Sequence, residues 1–402
     1  MGKLTGVLGL FAMIAIAYAL SDNRKKVNYR VIISGLLLQI VFAFLILKTA
    51  LGQRVFQMSN VMVEAILSQS DKGAQFLFGD NYTEHFFAFK VLPTIIFASS
   101  LSYLLFHWGI LQRIVEGLAK VMSRFMGVSG AESLAAAANI FLGQTEAPLF
   151  IKPYIKSMTR SEILCLMAGG MANIAGGVLV AFVGMGISAG HLVAASFMSA
   201  PAAILLSKIM VPETEQPKTM GQLTSKLEVE SVNSFDAVCR GAADGLMLAL
   251  NVGAMLIAVI ALVALTNLFL EKATMGIFGE PVTLQKIFGY AFYPFAILMG
   301  VPSNEAFLMG GLLGEKTVVN EFVAYIHLAD LMKAQAVSPR TAEIMTYAMC
   351  GFANFSSIAI QIGGIGSLEP TKKRDFAQLG LKSMICGTLA SFMTACIASV
   401  FI

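Results

Sequence analysis

Two carboxylates interrupt sequence that is otherwise apolar. Glu146 lies in Asn139-Ile140-Phe141-Leu142-Gly143-Gln144-Thr145-Glu146-Ala147-Pro148, and Glu321 follows Asn320 in Val318-Val319-Asn320-Glu321-Phe322-Val323-Ala324-Tyr325. A second pair of interruptions reads almost as one phrase used twice: Gly170-Met171-Ala172-Asn173-Ile174-Ala175-Gly176 and, 181 residues on, Gly351-Phe352-Ala353-Asn354-Phe355-Ser356-Ser357. The chemistry these residues offer is recognition of a polar ligand or ion. A carboxylate accepts two hydroxyl protons, and the amides and hydroxyls of Gln144, Thr145, Asn354 and Ser357 both donate and accept. Asn354 and Ser357, three apart, share one face if the turn between them is helical. Phe352 adds a ring whose edge or face suits an aromatic ligand. Bond-breaking chemistry has no such support. No HExxH or GxxxxGK[ST] occurs, and His85, His107, His191 and His327 are scattered without ligand spacing.

The elements that must hold these groups lie in a bilayer. With 57% hydrophobic and 13% charged residues and a mean hydropathy of +0.75, the 402-residue chain departs far from soluble composition. The formal charge of +4 invites a nucleic-acid reading, but Lys and Arg cluster beside apolar segments, where they report topology, so no nucleic-acid partner is expected. Five Cys without CxxC spacing indicate neither a disulfide framework nor a metal site.

A spanning helix needs roughly 20 mostly apolar residues. Eight such spans are predicted, at about 4–20, 31–49, 87–108, 162–184, 189–210, 242–270, 342–365 and 379–401. The first resembles a signal peptide, since Lys3 precedes a run ending Ala17-Tyr18-Ala19. The basic cluster Arg24-Lys25-Lys26 resists translocation, however, and argues for a span entering from outside. Both termini are then outside, and 18 of the 28 basic residues fall in four cytoplasmic clusters. The expected class is an all-α polytopic membrane protein with eight transmembrane helices, two re-entrant helical hairpins, interfacial helices and an inverted repeat. Residues 1–86 hold two spans and an interfacial helix at 51–69. The first repeat covers 87–212, with hairpin 1 at about 130–158; a cytoplasmic loop covers 213–241; the second repeat covers 242–402, with hairpin 2 at about 303–330. Residues 110–126 and 283–299 read as further interfacial helices.

Hairpin 1 is expected because each arm around Gly143 is half a span, and Pro148 suits the first turn of the returning arm. Its tip should present Gln144, Thr145 and Glu146 with free backbone N–H groups. Hairpin 2 is expected to turn at Glu315-Lys316-Thr317, with Lys316 a surface charge and Glu305 solvated at its mouth. Interrupted helices at matching places in two halves point to a transporter's binding site.

The run Gly314-x-Lys316-x3-Asn320-Glu321-Phe322-Val323-Ala324-Tyr325 resembles the signature of the concentrative nucleoside transporters. Gly143-Gln144-Thr145-Glu146-Ala147-Pro148-Leu149 is similar to the first hairpin tip of the bacterial members, and the likeness extends over essentially the whole chain. It implies a homotrimer in a bacterial inner membrane, in contact with lipid, whose mobile part carries the hairpins and broken helices in an elevator-like movement. By position, it implies that Gln144, Thr145 and, through water, Glu146 bind the nucleobase, with Phe352 packing against it. Glu321, Asn354 and Ser357 would take the ribose hydroxyls. The substrate would be a pyrimidine nucleoside such as uridine, with breadth toward purines. It further implies sodium at Asn139, the carbonyl of Leu142, and Asn173 with Ile174, and no other cofactor. The family often has a hydroxyl residue where this chain has Asn173. Proton coupling through Glu146 or Glu321 is the alternative. Rivals of other kinds are a symporter for a different polar solute, a passive pore and an intramembrane enzyme.

Overall fold

Short polar side chains placed before apolar runs set the helix starts. The computed structural model describes residues 2–221, 231–278 and 281–402, and regular structure among them is helical throughout. Three helices come first: α1 (Gly2–Ala19), α2 (Tyr29–Lys48) and α3 (Ala50–Phe78). Then follow α4 (Leu92–His107), α5 (Ile110–Met126), α6 (Gly130–Ala138), α7 (Lys152–Ile155), α8 (Arg160–Ala172), α9 (Gly176–Gly184) and α10 (Ala189–Met210). The second half holds α11 (Ser234–Phe278), α12 (Leu284–Leu298), α13 (Ser303–Val318), α14 (Glu321–Lys333), α15 (Pro339–Met349), α16 (Phe355–Leu368) and α17 (Lys373–Phe401). The order of long helix, amphipathic helix, broken pair, broken pair and long helix thus occurs twice.

Among the described residues, seven helical stretches are long and apolar enough to cross a bilayer, or up to eight if α12 and α13, bent by 119° at their junction, count as one. Seven of the eight expected spans coincide with these. The remaining one, at 342–365, is α15 and α16, of 11 and 14 residues, parted at 350–354, where the second phrase interrupts the apolar run. The helix expected at 51–69 runs on to Phe78, and the one at 283–299 folds back along α13. The expected loop at 213–241 is shorter, since α11 begins at Ser234; part of that loop lies outside the described residues.

Burial is inverted relative to a soluble protein. About 11% of the most apolar window of α11 and 28% of those in α1, α2 and the stretch Ala88–His107 that ends in α4 are buried, against 89% in α10 and 83% in α8–α9. A helix apolar all round and exposed along its length is built to face lipid or another protein. The inner helices approach closely through small residues, as membrane helices do. A methyl on Gly387 of α17, for instance, would run into Met171 of α8. A buried ionic knot pins one end of this core. Lys208 pairs with Glu132 and, at 3.3 Å, with Glu213, while the Ser129 hydroxyl donates to Glu162 at 2.6 Å. Ser129 with Glu132 and Thr159 with Glu162 form capping boxes that start α6 and α8.

Candidate functional site

Between α6 and α7 the chain turns at 139–146 and returns through a 3-10 turn, Ala147–Ile151, with Pro148 in its first positions. Gln144 is buried, and its Nε2 donates to Ser357 Oγ at 3.1 Å. Gln144 Oε1 and Glu146 Oε2 are shut off from solvent without a hydrogen-bond partner. Such atoms cost about 1–3 kcal/mol each when left unsatisfied, so both call for a ligand or water. The tip's N–H groups are not all free as expected: those of Glu146 and Ala147 both donate to the Gly143 carbonyl, at 3.2 and 3.0 Å. Bare Cα atoms make the fit. A methyl on Gly143 would strike the Glu146 carboxylate, one on Gly170 would sit 2.8 Å from Gln144 Cβ, and one on Gly364 would sit 2.8 Å from Thr145 Cγ2.

The second half of the site is a chain of side-chain bonds. Asn354 caps α16, its Oδ1 accepting from Ser357 N–H at 2.9 Å and from Ser356 Oγ at 2.7 Å. Its Nδ2 donates to Glu321 Oε2 at 2.9 Å, in the first turn of α14. Glu321, Asn354, Ser357 and Gln144 are therefore linked end to end through Asn354's two ends and Ser357. Half-buried Phe352 stands beside them, its N–H donating to the Asn173 carbonyl at 3.3 Å. The two helix breaks cross here. Gly351, at φ +149°, has no room for a side chain, since a methyl would lie 2.7 Å from the Met171 carbonyl oxygen.

Hairpin 2 departs from expectation at its turn. Helix α13 runs through Glu315-Lys316-Thr317 to Val318, and the break falls at Val319-Asn320, where the Asn320 side chain accepts from Val323 N–H at 3.0 Å. Lys316 is not a surface charge: it is wholly buried and donates to the Ala348 carbonyl at 3.1 Å. Glu305 is not simply solvated either. It accepts from Ser338 N–H at 3.1 Å and Ser338 Oγ at 3.0 Å, tying the starts of α13 and α15.

The expected cation ligands also gather at a break. Asn139 Nδ2 donates to Ala135 O at 3.0 Å, leaving its buried Oδ1 without a partner, and a methyl on Gly169 would lie 3.2 Å from that Nδ2. Ile174 lies within the α8–α9 break, and Gly176 N–H, at the start of α9, reaches Phe141 O at 3.1 Å, bringing the two turns together. Oxygen donors suit a hard cation. Asn173 Oδ1 accepts from Ser199 Oγ at 2.6 Å and keeps a second lone pair for a further partner.

Two residues near these groups escaped the sequence reading. Gln361, fully buried, donates from Nε2 to Met167 O at 2.9 Å and leaves Oε1 unpartnered. It lies one turn past Ser357, so its spacing on the same helical face was the available signal. Ser199 had none, being one of three serines in the apolar helix α10.

Broken helices with unpaired amides and carboxylates at their crossing define a multi-pass membrane transporter. Models of the Na+ dependent nucleoside transporter N-terminus and C-terminus match residues 8–81 and 191–399, and one described as nucleoside recognition matches 88–189. The nucleoside permease NupC of Helicobacter pylori is 39% identical over 412 residues, covering 100% of this chain and 98% of its own. The sodium/nucleoside cotransporter 1 of Rattus norvegicus is 37% identical, covering 99% of this chain and 64% of its own length. The solved structure of CNTnw in an inward-facing substrate-bound state superposes with a TM-score of 0.93 at 39% identity, covering 100% and 98% of the two chains; an outward-facing variant of it gives 0.94. The chain belongs to the concentrative nucleoside transporter family, whose members are transporters and not enzymes.

Proposed function

We propose that this protein imports nucleosides by coupling them to an inward cation gradient, sodium first. The observation that carries the reading is the bonded series Glu321–Asn354–Ser357–Gln144 where the two breaks cross, with unpartnered oxygens on Gln144 and Glu146 beside it. Glu321, Asn354 and Ser357 take the ribose hydroxyls. Gln144, Thr145 and Glu146 take the base edge, with Phe352 packed against the ring. Uridine is the reference substrate, with breadth toward purines. Asn139, Leu142, Asn173 and Ile174 hold the ion. The two turns act as re-entrant hairpins in an inverted repeat, and they move with their ligands across the membrane as one elevator-like unit. The setting is a homotrimer in a bacterial inner membrane with both termini outside. The existence of family structures in inward- and outward-facing states supports alternating access.

Proton coupling is the second reading. It is favoured by the unpartnered oxygen of the buried carboxyl of Glu146. Radiolabelled uridine uptake into proteoliposomes decides between them, with an inward sodium gradient, an inward proton gradient or neither, and with Asn173→Ala alongside. Sodium-driven accumulation lost in the variant supports the first. Proton-driven uptake indifferent to the variant moves the coupling role to a carboxylate, and no accumulation under either gradient rejects both.

A further inference from the structure

The buried ammonium of Lys316 takes no part in the proposed nucleoside or ion contacts. It donates to the Ala348 carbonyl at 3.1 Å, one of the last carbonyls of α15 and so one without a helical partner. Lys316 itself lies in the last turn of α13. Two helix C-termini, each carrying partial negative charge, converge on this cation. Glu321 has the opposite surroundings. It lies in the first turn of α14 and takes its hydrogen bond from Asn354, the residue that caps α16, so two helix N-termini face the carboxylate. Both groups are buried, and they flank the break at Val319-Asn320, five residues apart in the chain. The other titratable groups near the pair are Cys350, beside the second break, and Tyr325 on α14, whose hydroxyl donates to Thr346 O at 2.7 Å. Groups of these types are uncharged at neutral pH in their ordinary range.

We propose that Lys316 is the internal counter-ion of Glu321, keeping that carboxylate ionised in a water-poor site while tethering the end of α15 that leads into the Asn354 break. Lys316 touches no substrate and is a positioning residue. The proposal rests on the reading of Glu321 as ribose acceptor, so its test has one arm that needs no nucleoside.

That arm is thermal unfolding of ligand-free protein in detergent for wild type, Lys316→Met, Glu321→Gln and the double variant. Removing only the lysine strands a buried carboxylate, and removing both relieves it. Lys316→Met is expected to lower Tm by roughly 5 °C or more, with at least half of that loss recovered in the double variant; an equal loss in both overturns the proposal. Where Lys316→Met yields no folded protein, recovery of folded double variant supports the proposal, and its failure to fold overturns it. The second arm is uridine binding from pH 6 to 9. Lys316→Arg should follow the wild-type profile across the range. In Lys316→Met the carboxylate, deprived of its cation, takes up a proton at higher pH, so binding is lost toward pH 6 and returns toward pH 9. A loss by the same factor at every pH indicates packing alone and overturns the proposal. Absence of uridine binding by wild type refutes the nucleoside reading, and the unfolding cycle still decides the counter-ion.

Discussion

Glu321 accepts the amide of Asn354 at one oxygen and retains acceptor capacity for hydroxyl groups. Hydrogen bonds to a charged group contribute about 1.5–3 kcal/mol. Glu321→Gln should therefore cut uridine uptake roughly tenfold to hundredfold at normal membrane abundance, and should narrow the preference for uridine over its deoxy analogues. Uptake unchanged by this substitution would remove the ribose role. A second expectation concerns Gly364, whose bare Cα faces the Thr145 methyl. Gly364→Ala should reduce uptake by crowding the hairpin tip, at a cost of about 1–3 kcal/mol. Adding Thr145→Ser, which deletes the struck methyl, should restore uptake; no restoration would place the fault elsewhere. At this scale the sequence displayed Gln144, Glu146, Glu321, Asn354 and Ser357 openly, because each is polar among apolar neighbours. Lys316 was misread because Glu-Lys-Thr looks like a solvated turn. What hides it is a carbonyl supplied by Ala348, thirty-two residues away, which no local pattern announces.

Among the elements, the breaks are the legible part and the turns less so. Asn173 and Asn354 inside apolar runs marked both interruptions, and at 354 the side chain caps the following half-helix. The same chemistry at Asn320, a cap followed by an acidic first turn, would have placed the second hairpin's break correctly; the charged triplet before it drew attention instead. Asn320→Ala should lower stability by about 1 kcal/mol through loss of the Val323 bond, read as a small drop in Tm in detergent. It should weaken uridine binding too, since the cap sets where Glu321 begins its helix. The fold-back of α12 along α13 was not legible, because amphipathic spacing alone does not distinguish lying at an interface from packing on a neighbour.

For the whole molecule, composition was enough to assign the bilayer, and helix length enough for most of the spans. The long, exposed apolar flank of α11 is where lipid or a second subunit must sit. The proposed trimer predicts a particle three times the 42.9 kDa chain by light scattering in detergent after correction for bound detergent; a particle of one chain mass would reject it.

The crossing of the two breaks also ties ligands together. The Phe352 N–H rests on the Asn173 carbonyl, so a single peptide contact joins the expected ion ligands to the expected nucleoside ligands. Any cation that shifts Asn173 shifts the floor of the proposed nucleoside site. Thermodynamic linkage then makes the effect reciprocal: whatever factor the ion adds to nucleoside affinity, the nucleoside adds to ion affinity. An importer wired in this way would hold each of its two passengers more tightly once the other is aboard.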